Sequence, residues 1–245
     1  MKYIASCSFG KDSIATILLA IENNEPLDGA VFSEVMFDLK RNISGENPEH
    51  IKWIYDVAIP KLEKLGCPVE VVRAERDYMH CFHNIIKSGR NKGKKPGWPM
   101  GGKCVIQSQC KIPPVRRYYR RFNEPVTQYV GIAVDEPIRL ARMKPGQISL
   151  LAKYGYTEEM AMAKCVESDL VSPIYQSSHR GGCWFCPNCK IPVFAEFRKK
   201  HPELWSELQL LSKEDNLAGF GFKYEMSFQE VEARMDAIDR QLKLF

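Results

Sequence analysis

The chain has 245 residues, a formal net charge of +5 at pH 7 and 44% hydrophobic residues, which is enough apolar material for a sizeable core. No apolar run approaches the roughly 20 residues that a membrane span needs, so we expect no membrane-spanning segment. A strand pattern begins within the first three residues, which argues against a signal peptide and predicts a cytoplasmic protein.

The first predicted elements are a strand and a helix joined by a short polar turn. An apolar run at Tyr3–Ala5 is typical of a buried strand, and apolar residues recur at helical spacing from Ile14 to Ile21. The turn, Ser8–Ser13, reads Ser-Phe-Gly-Lys-Asp-Ser. Backbone N–H groups at a helix N-terminus favour an anion, and Lys11 adds a cation. We therefore predict a phosphate-binding loop, although any such turn is also a good helix cap.

Strands and helices continue to alternate through the first two thirds of the chain. Because this alternation with short connections is typical of parallel sheets, we predict an α/β fold with helices on both faces of the sheet. The Gly/Lys/Pro-rich stretch Ser88–Lys103 has no periodicity and is predicted to be a long, mobile loop. Further strands are predicted at Gly29–Phe32, Val69–Val72 and Gln128–Ile132, and helices from Pro48 to before Gly66, at Asp77–Lys87 and at Ile112–Phe122.

The last third of the chain differs in composition. A cysteine-rich stretch from Cys165 to Cys189 precedes two helical patterns, Phe194–Leu211 and Phe228–Leu244. We therefore expect a nucleotide-binding α/β domain at 1–164, a metal-binding segment at 165–192 and a helical extension at 193–245. The extension is assigned a packing role or a role in forming a homodimer.

Nine cysteines in a chain without an export signal indicate metal binding or thiol chemistry rather than disulfides. Cys183, Cys186 and Cys189 follow one another at spacings of three, as in a loop folded around an ion. A tetrahedral zinc site and a four-iron cluster both need four soft ligands. The spacing does not separate zinc from iron–sulfur, and the candidates for the fourth ligand are Cys165, Cys104 and Cys110.

The Ser8–Ser13 loop resembles the PP-loop of ATP pyrophosphatases, which bind ATP and cleave it between the α- and β-phosphates. Phe9 stands where the strictest form of that loop has glycine. Other segments resemble the phosphoadenosine-phosphosulfate-reductase-like branch of this superfamily, and together the matches cover residues 1 to about 192. These segments are Phe32–Glu34 with Ile43–Glu46 and Pro48–His50, Gly131–Arg139, and Pro173–Tyr175 with Arg180–Pro187.

The resemblance implies an adenine nucleotide alpha-hydrolase-like fold that uses ATP with Mg²⁺. The departing phosphates would be held by Ser8, Gly10, Lys11 and Ser13. Asp12 is expected to hold Mg²⁺ or to cap the helix, and Glu34 to contact ribose or metal or to be a solvated acid. Arg139 is expected to clamp a phosphate or to pair with Glu136. The full nucleotide site is predicted to comprise Ser8, Phe9, Gly10, Lys11, Asp12, Ser13, Phe32, Glu34, Gly131 and Arg139, with catalytic roles for Lys11, Asp12, Arg139 and Cys104.

Within that branch, the sulfur-activating enzymes of DNA phosphorothioation have a similar cysteine pattern. This similarity implies a 4Fe–4S cluster held by Cys165, Cys183, Cys186 and Cys189, with Zn²⁺ as the alternative. Assimilatory sulfate reductases offer another assignment, since Lys111–Pro114 resembles the segment that follows their paired cysteines and nominates Cys104 or Cys110. Either cysteine, if not a ligand, is a candidate nucleophile or sulfur acceptor beside Lys103 or Lys111.

Basic residues are concentrated between Lys87 and Arg121, a segment that also carries Trp98, Tyr118, Tyr119 and Phe122. Cations follow phosphates and aromatic rings stack on bases, so the segment suits a nucleic-acid surface, with a solvated charged loop and helix face as the alternative.

Three functions are compatible with these features. The first is an ATP-dependent adenylating enzyme that transfers sulfur to a nucleic acid or small molecule, with a sulfur-donor protein as partner. The second is a phosphoadenylyl or adenylyl sulfate reductase, although Lys190–Phe245 contains no cysteine to serve as the mobile nucleophile. The third is a non-catalytic nucleic-acid-binding module with structural zinc.

Overall fold

The structure, a computed structural model, describes residues 1–99, 104–176, 181–219 and 221–242. Its strands are β1 (Lys2–Cys7), β2 (Gly29–Glu34), β3 (Met36–Asp38), β4 (Ile43–Ser44), β5 (Val69–Arg73), β6 (Val126–Tyr129) and β7 (Gln147–Ile148). Its helices are α1 (Lys11–Glu22), α2 (Pro48–Trp53), α3 (Ile59–Lys64), α4 (Tyr78–His83), α5 (Ile112–Tyr119), α6 (Pro137–Leu140), α7 (Leu150–Lys153), α8 (Glu158–Glu167), α9 (Ile191–Lys200), α10 (Pro202–Leu211) and α11 (Phe228–Leu242).

The chain forms two compact units that alternate along the sequence. The first unit contains Met1–Glu34, Glu46–Arg73 and Lys111–Gly181. The second unit contains Val35–Gly45, Ala74–Cys110 and Gly182–Phe245. Within the described residues, no helix has both the length and the apolar character needed to cross a membrane.

The first unit is built on a five-stranded sheet in the order β5-β2-β1-β6-β7, with every pair parallel. This confirms the predicted parallel α/β sheet flanked by helices. The chain passes from β1 outward to β2 on one side and later returns to β6 on the other, so the strand order reverses between β1 and β6. Ligands of open α/β sheets bind at the carboxyl ends of the strands beside such a reversal.

Helix α1 confirms the helix that was predicted from the spacing of apolar residues after the loop. Ile14 and Ile17 are fully buried, and Leu18 is 8% exposed, against the first unit's core. The helix predicted after Pro48 is present as α2 and α3, separated by a single π-turn at Ile54–Ala58. Pro60 lies in the first turn of α3 and has no N–H to donate, so the widened turn accommodates the interruption.

The second unit contains the antiparallel pair β3–β4 and helices α9 to α11 around an aromatic core. The predicted pattern Phe194–Leu211 is two helices rather than one, because Pro202 begins α10 directly after His201. The helix predicted at Asp77–Lys87 is shorter: Asp77 caps α4 through the His80 N–H at 2.7 Å, and the helix ends at His83.

The described part of the predicted loop, residues 88–99, contains no helix or strand, as expected. It is nevertheless packed, because Trp98 is only 6% exposed and its ring stacks on Phe228 with centroids 5.6 Å apart. The expectation that Trp98 is available to stack on a base is therefore wrong. The residues around Trp98 are basic and typical of a surface segment, so the composition gave no sign that Trp98 is buried.

Candidate functional site

The predicted phosphate loop joins β1 to α1 at the carboxyl end of the central strand. Gly10 is the N-cap residue of α1 and supplies no side-chain cap. The buried Ser13 hydroxyl donates to the Gly10 carbonyl at 2.9 Å and accepts from the Ser8 N–H at 3.2 Å. Ser13 therefore fixes the shape of the turn from inside, while Ser8 is exposed.

Phe9 takes a backbone conformation that glycine adopts more easily than other residues. Its φ is +57°, in the left-handed region that L side chains rarely adopt. The ring is fully buried and meets the predicted site residue Phe32 edge to face, with centroids 5.1 Å apart. Burial of a phenylalanine side chain contributes roughly 1.5–3 kcal/mol, which offsets the conformational cost of about 1–3 kcal/mol. The Phe9 and Phe32 rings thus support the loop from the core.

Lys11 and Asp12 form the charged tip of the loop. The Lys11 ammonium lies 2.7 Å from Asp12 Oδ1 and 3.6 Å from Glu158 Oε1. Burial raises the pKa of Asp12, and the bond from Lys11 opposes that rise. Asp12 lies in the first turn of α1 rather than at its N-cap, so its carboxylate does not serve as the cap. Its magnesium role stays a prediction.

Tyr175 is a loop contact that the residue-by-residue prediction missed. Its hydroxyl accepts a hydrogen bond from the Lys11 backbone N–H at 2.8 Å. Burial raises the pKa of Tyr175 to about 12, so the hydroxyl keeps its proton at neutral pH. An oxygen therefore already lies at the helix N-terminus where a phosphate oxygen is expected.

Gly131, predicted from the Gly…Glu…Arg segment, has a clear steric role. A Cβ on Gly131 would lie 2.7 Å from the Asp12 carbonyl carbon and 2.8 Å from the Ser13 nitrogen. The segment that directly follows β6 therefore touches the backbone of the loop, at the point where the strand order reverses. Only glycine allows this approach without displacing the loop.

Glu34 is buried rather than solvated, and its expected contact with ribose or metal stays a prediction. It is 2% exposed, and its Oε2 accepts from Tyr55 Oη at 2.7 Å and from Arg73 Nε at 2.8 Å. Arg73 is its register partner on β5. Glu46, which the prediction did not single out as a site residue, is also buried; burial and the nearby Glu34 raise its pKa, and Lys111 opposes the rise.

Arg139 follows β6, as predicted, and its guanidinium pairs with Glu136. The Arg139 side chain is 55% exposed, so an anion can reach it. The salt bridge that the sequence offered as the alternative is therefore present, and the phosphate clamp stays a prediction. Arg180 lies outside the described residues.

His50 is a buried residue that contacts the backbone of the loop at Ser8. Its ring is 1% exposed, and Nδ1 lies 2.7 Å from Ser172 Oγ. The Ser8 carbonyl, 3.4 Å from Nε2, can only accept, so the neutral ring carries its proton on Nε2 and Nδ1 accepts from the Ser172 hydroxyl. Burial is the main cause that lowers the pKa of His50 to about 4.

This burial predicts a pH-dependent stability. Unfolded His50 takes up a proton near its ordinary pKa of about 6.5, whereas the folded ring stays neutral until about pH 4. Stability from this group is therefore complete above pH 6.5 and decreases as the pH falls towards 4. Between pH 7 and pH 5 the loss is about 2 kcal/mol. Urea denaturation should show a shallower pH dependence for His50→Gln than for wild type, whereas exposed His80→Gln should match wild type. An unchanged slope in His50→Gln would refute the assignment.

The three closely spaced cysteines lie on one short loop of the second unit. The Cys186 N–H donates to the Cys183 carbonyl at 3.0 Å, and the Cys189 N–H donates to the Cys186 carbonyl at 2.9 Å. The Lys223 ammonium donates to the Cys189 carbonyl at 2.5 Å. Two consecutive turns thus hold the backbone of the three cysteines in one short loop, beside the Lys223 ammonium.

Two further thiols belong to the same unit. Cys81 and Cys110 are buried, and their sulfur atoms are 3.6 Å apart. Cys183 is close enough to Cys110 to contribute to raising the pKa of the Cys110 thiol, after the Cys81 hydrogen bond and burial. Among the described residues, no three His, Cys, Asp or Glu side chains are arranged around one point as ligands. The donor set, rather than a closed geometry, matches a thiophilic centre.

Cys165, the predicted fourth ligand, has a different setting. It lies on α8 in the first unit, fully buried, and its thiol donates to the Lys11 carbonyl at 3.2 Å. Burial, with a smaller effect from Asp12, raises the pKa of Cys165 to about 12. Cys104, the candidate nucleophile, is exposed, and its sulfur accepts from the Gln107 N–H at 3.5 Å.

Comparison with known proteins supplies no family for the chain. No protein-family model matches it, and no curated protein is significantly similar in sequence.

Proposed function

We propose that the chain is a PP-loop-type enzyme that adenylates an acceptor with ATP and Mg²⁺. An acceptor oxygen attacks the α-phosphorus of ATP and loses its proton, and the bond from that phosphorus to the α–β bridging oxygen breaks. The products are the adenylylated acceptor and pyrophosphate. A hydrosulfide-level sulfur nucleophile then displaces AMP, which places sulfur on a nucleic acid or small molecule.

One observation carries the first step: the Ser8–Ser13 loop lies at the reversal of strand order, with the backbone of Gly131 against it. The loop presents the N-terminus of a 12-residue helix and the Lys11 ammonium at the carboxyl end of β1. Such a site needs little covalent chemistry, since positioning and charge neutralisation are the main contributions. Of the two products, the pyrophosphate leaving group carries the larger negative charge. The Lys11 ammonium and the N-terminus of α1 are therefore suited to bind it.

The products of ATP turnover test the proposal. Protein purified without oxygen is incubated with Mg²⁺ and ATP, and the products are separated by anion-exchange chromatography. We expect AMP and pyrophosphate in equal amounts, with water as a slow acceptor when no other is present. ADP with orthophosphate, or no detectable adenine nucleotide binding, would refute the proposal.

We further propose that the second unit holds a thiolate-ligated iron–sulfur centre through Cys183, Cys186 and Cys189. Cys110 is favoured as the fourth ligand because it belongs to the same unit as Cys183 and is close enough for Cys183 to help raise its pKa. The Cys165 thiol, by contrast, already donates a hydrogen bond to the backbone carbonyl of Lys11 in the loop. When bound, such a centre would supply thiophilic iron with affinity for hydrosulfide-level sulfur.

Cysteine variants test the ligand set. Iron and acid-labile sulfide are measured after anaerobic reconstitution of each variant. Cys186→Ala and Cys110→Ala should lose most of the bound iron, whereas Cys165→Ala and Cys104→Ala should retain the wild-type content. Loss of iron in Cys165→Ala with retention in Cys110→Ala would reverse the assignment and restore Cys165 as the fourth ligand. Stoichiometric zinc without iron would exclude the iron–sulfur centre.

A further inference from the structure

Tyr78 carries a buried hydroxyl that the described residues leave without a hydrogen-bond partner. The side chain is fully buried, and its ring lies against Phe185 with centroids 4.2 Å apart. Phe185 stands between Cys183 and Cys186 in the sequence, so this contact brings the tyrosine to the cysteine loop. An unsatisfied buried hydroxyl destabilises a folded protein, so such groups are rare and call for a partner.

The surroundings of this hydroxyl are rich in sulfur. Tyr78 and Cys81 are three residues apart on α4 and therefore share a helix face. Cys81 in turn touches Cys110 at 3.6 Å. After burial, the nearby thiols of Cys183, Cys81 and Cys186 are the groups that raise the pKa of Tyr78. Among the ionisable groups of the described residues, those that influence Tyr78 are these three thiols.

We propose that the Tyr78 hydroxyl donates a hydrogen bond to a sulfur of the metal centre that this cysteine loop binds. This inference rests on the proposed function, since it needs a bound centre, but it assigns a residue outside the ligand set. A thiolate or sulfide accepts hydrogen bonds well because it carries negative charge, whereas a neutral thiol is a weak acceptor. Tyr78 is thus a positioning residue that is satisfied only when the centre is present.

The proposal predicts opposite effects of one substitution on two forms of the protein. In the metal-free, reduced form, Tyr78→Phe removes an unsatisfied hydroxyl and keeps the ring, so the denaturation midpoint should rise. In the reconstituted form, the same substitution removes a hydrogen bond to the centre, so the midpoint should fall below that of wild type. Because outer-shell partners typically change metal affinity by about 10–100-fold, we expect roughly tenfold weaker retention of the centre against a chelator.

The experiment uses the full chain, reconstituted anaerobically with ferrous iron and sulfide, and Tyr224→Phe as the matched control. Tyr224 belongs to the same unit and is 81% exposed, so its substitution should change neither midpoint. Reduction potential is the second measurement: loss of a donor to sulfur should lower it, by 59 mV for a tenfold change in a one-electron equilibrium.

The outcomes separate two failures. If wild type takes up no iron, the proposed centre fails, and the role of Tyr78 fails with it. The other failure is one in which wild type loads normally while Tyr78→Phe has the wild-type denaturation midpoint in both the metal-free and the reconstituted form and the wild-type reduction potential. In that case the Tyr78 assignment alone is overturned. Reversal of the midpoint order between metal-free and loaded protein supports it.

Discussion

Replacing Lys11 with methionine should reduce the rate of pyrophosphate release from ATP by at least about a hundredfold, a loss of roughly 2.7 kcal/mol of transition-state stabilisation. Lys11 is the cation at the tip of the loop, and only 13% of its side chain is exposed. Charge grows on the bridging oxygen and pyrophosphate as the bond to the α-phosphorus breaks. A partly desolvated ammonium stabilises this charge more than it stabilises bound ATP, so kcat should fall more than ATP affinity.

The matched control is Lys52→Met in the same unit. Lys52 has the same side chain, but it is 78% exposed and pairs with Asp56 across one helical turn. Its substitution should leave both turnover and binding at the wild-type level. Turnover is measured as pyrophosphate released at saturating ATP, and binding by calorimetry with a non-hydrolysable ATP analogue. Wild-type turnover in Lys11→Met would remove the loop from the reaction.

Local pattern was sufficient to predict the frame of the first unit. The helix after the loop was predictable because apolar residues from Ile14 to Ile21 recur with the helical period, and β1, β2 and β5 because short apolar runs are bounded by turn residues. The position of the loop between the first strand and helix followed from the same patterns. The two-residue strand β7 was not predictable, since Gln147–Ile148 is too short to show any period.

The contacts that complete the candidate site were less accessible. Tyr175 meets Lys11 across 164 positions of the sequence, and no local pattern reports such a distance. His50 was visible in the sequence only as part of a resemblance, because burial of a polar ring depends on tertiary packing. Trp98 misled the prediction for the same reason: its basic neighbours are solvated while the indole enters a core.

The division into two units could not be predicted from the order of segments along the sequence, because each unit is made of three separate stretches. Composition changes at the cysteine-rich stretch, so the sequence favoured boundaries near Cys165 and residue 192. Contacts instead assign Val35–Gly45 and Ala74–Cys110 to the unit that contains the cysteine loop. Gly45 illustrates the cause, because its backbone carbonyl accepts from the Trp184 N–H at 3.0 Å. Pairings of this kind join distant segments and leave no signature in either one.

Gly131→Ala should both destabilise the first unit and weaken ATP binding, although Gly131 has no side chain to offer a ligand. The added methyl would lie 2.8 Å from the Asp12 carbonyl oxygen and as close to the Ser13 nitrogen. Both are backbone atoms in the first turn of α1, so the clash is relieved only if that turn moves away from the sheet. Overpacking of this kind costs about 1–3 kcal/mol of unfolding free energy.

The displaced turn carries the N–H groups that face the phosphates, so ATP affinity should fall by at least about tenfold, or roughly 1.4 kcal/mol. Gly182→Ala is the control, because a Cβ there meets no atom of the described residues within 4 Å. Urea denaturation and analogue binding are measured for both variants. If Gly131→Ala loses stability but binds ATP as wild type does, the loop is not the phosphate site. If both properties fall together while Gly182→Ala stays normal, the contact between the segment after β6 and the loop shapes the site, because the added methyl meets only the backbone of the loop and helix.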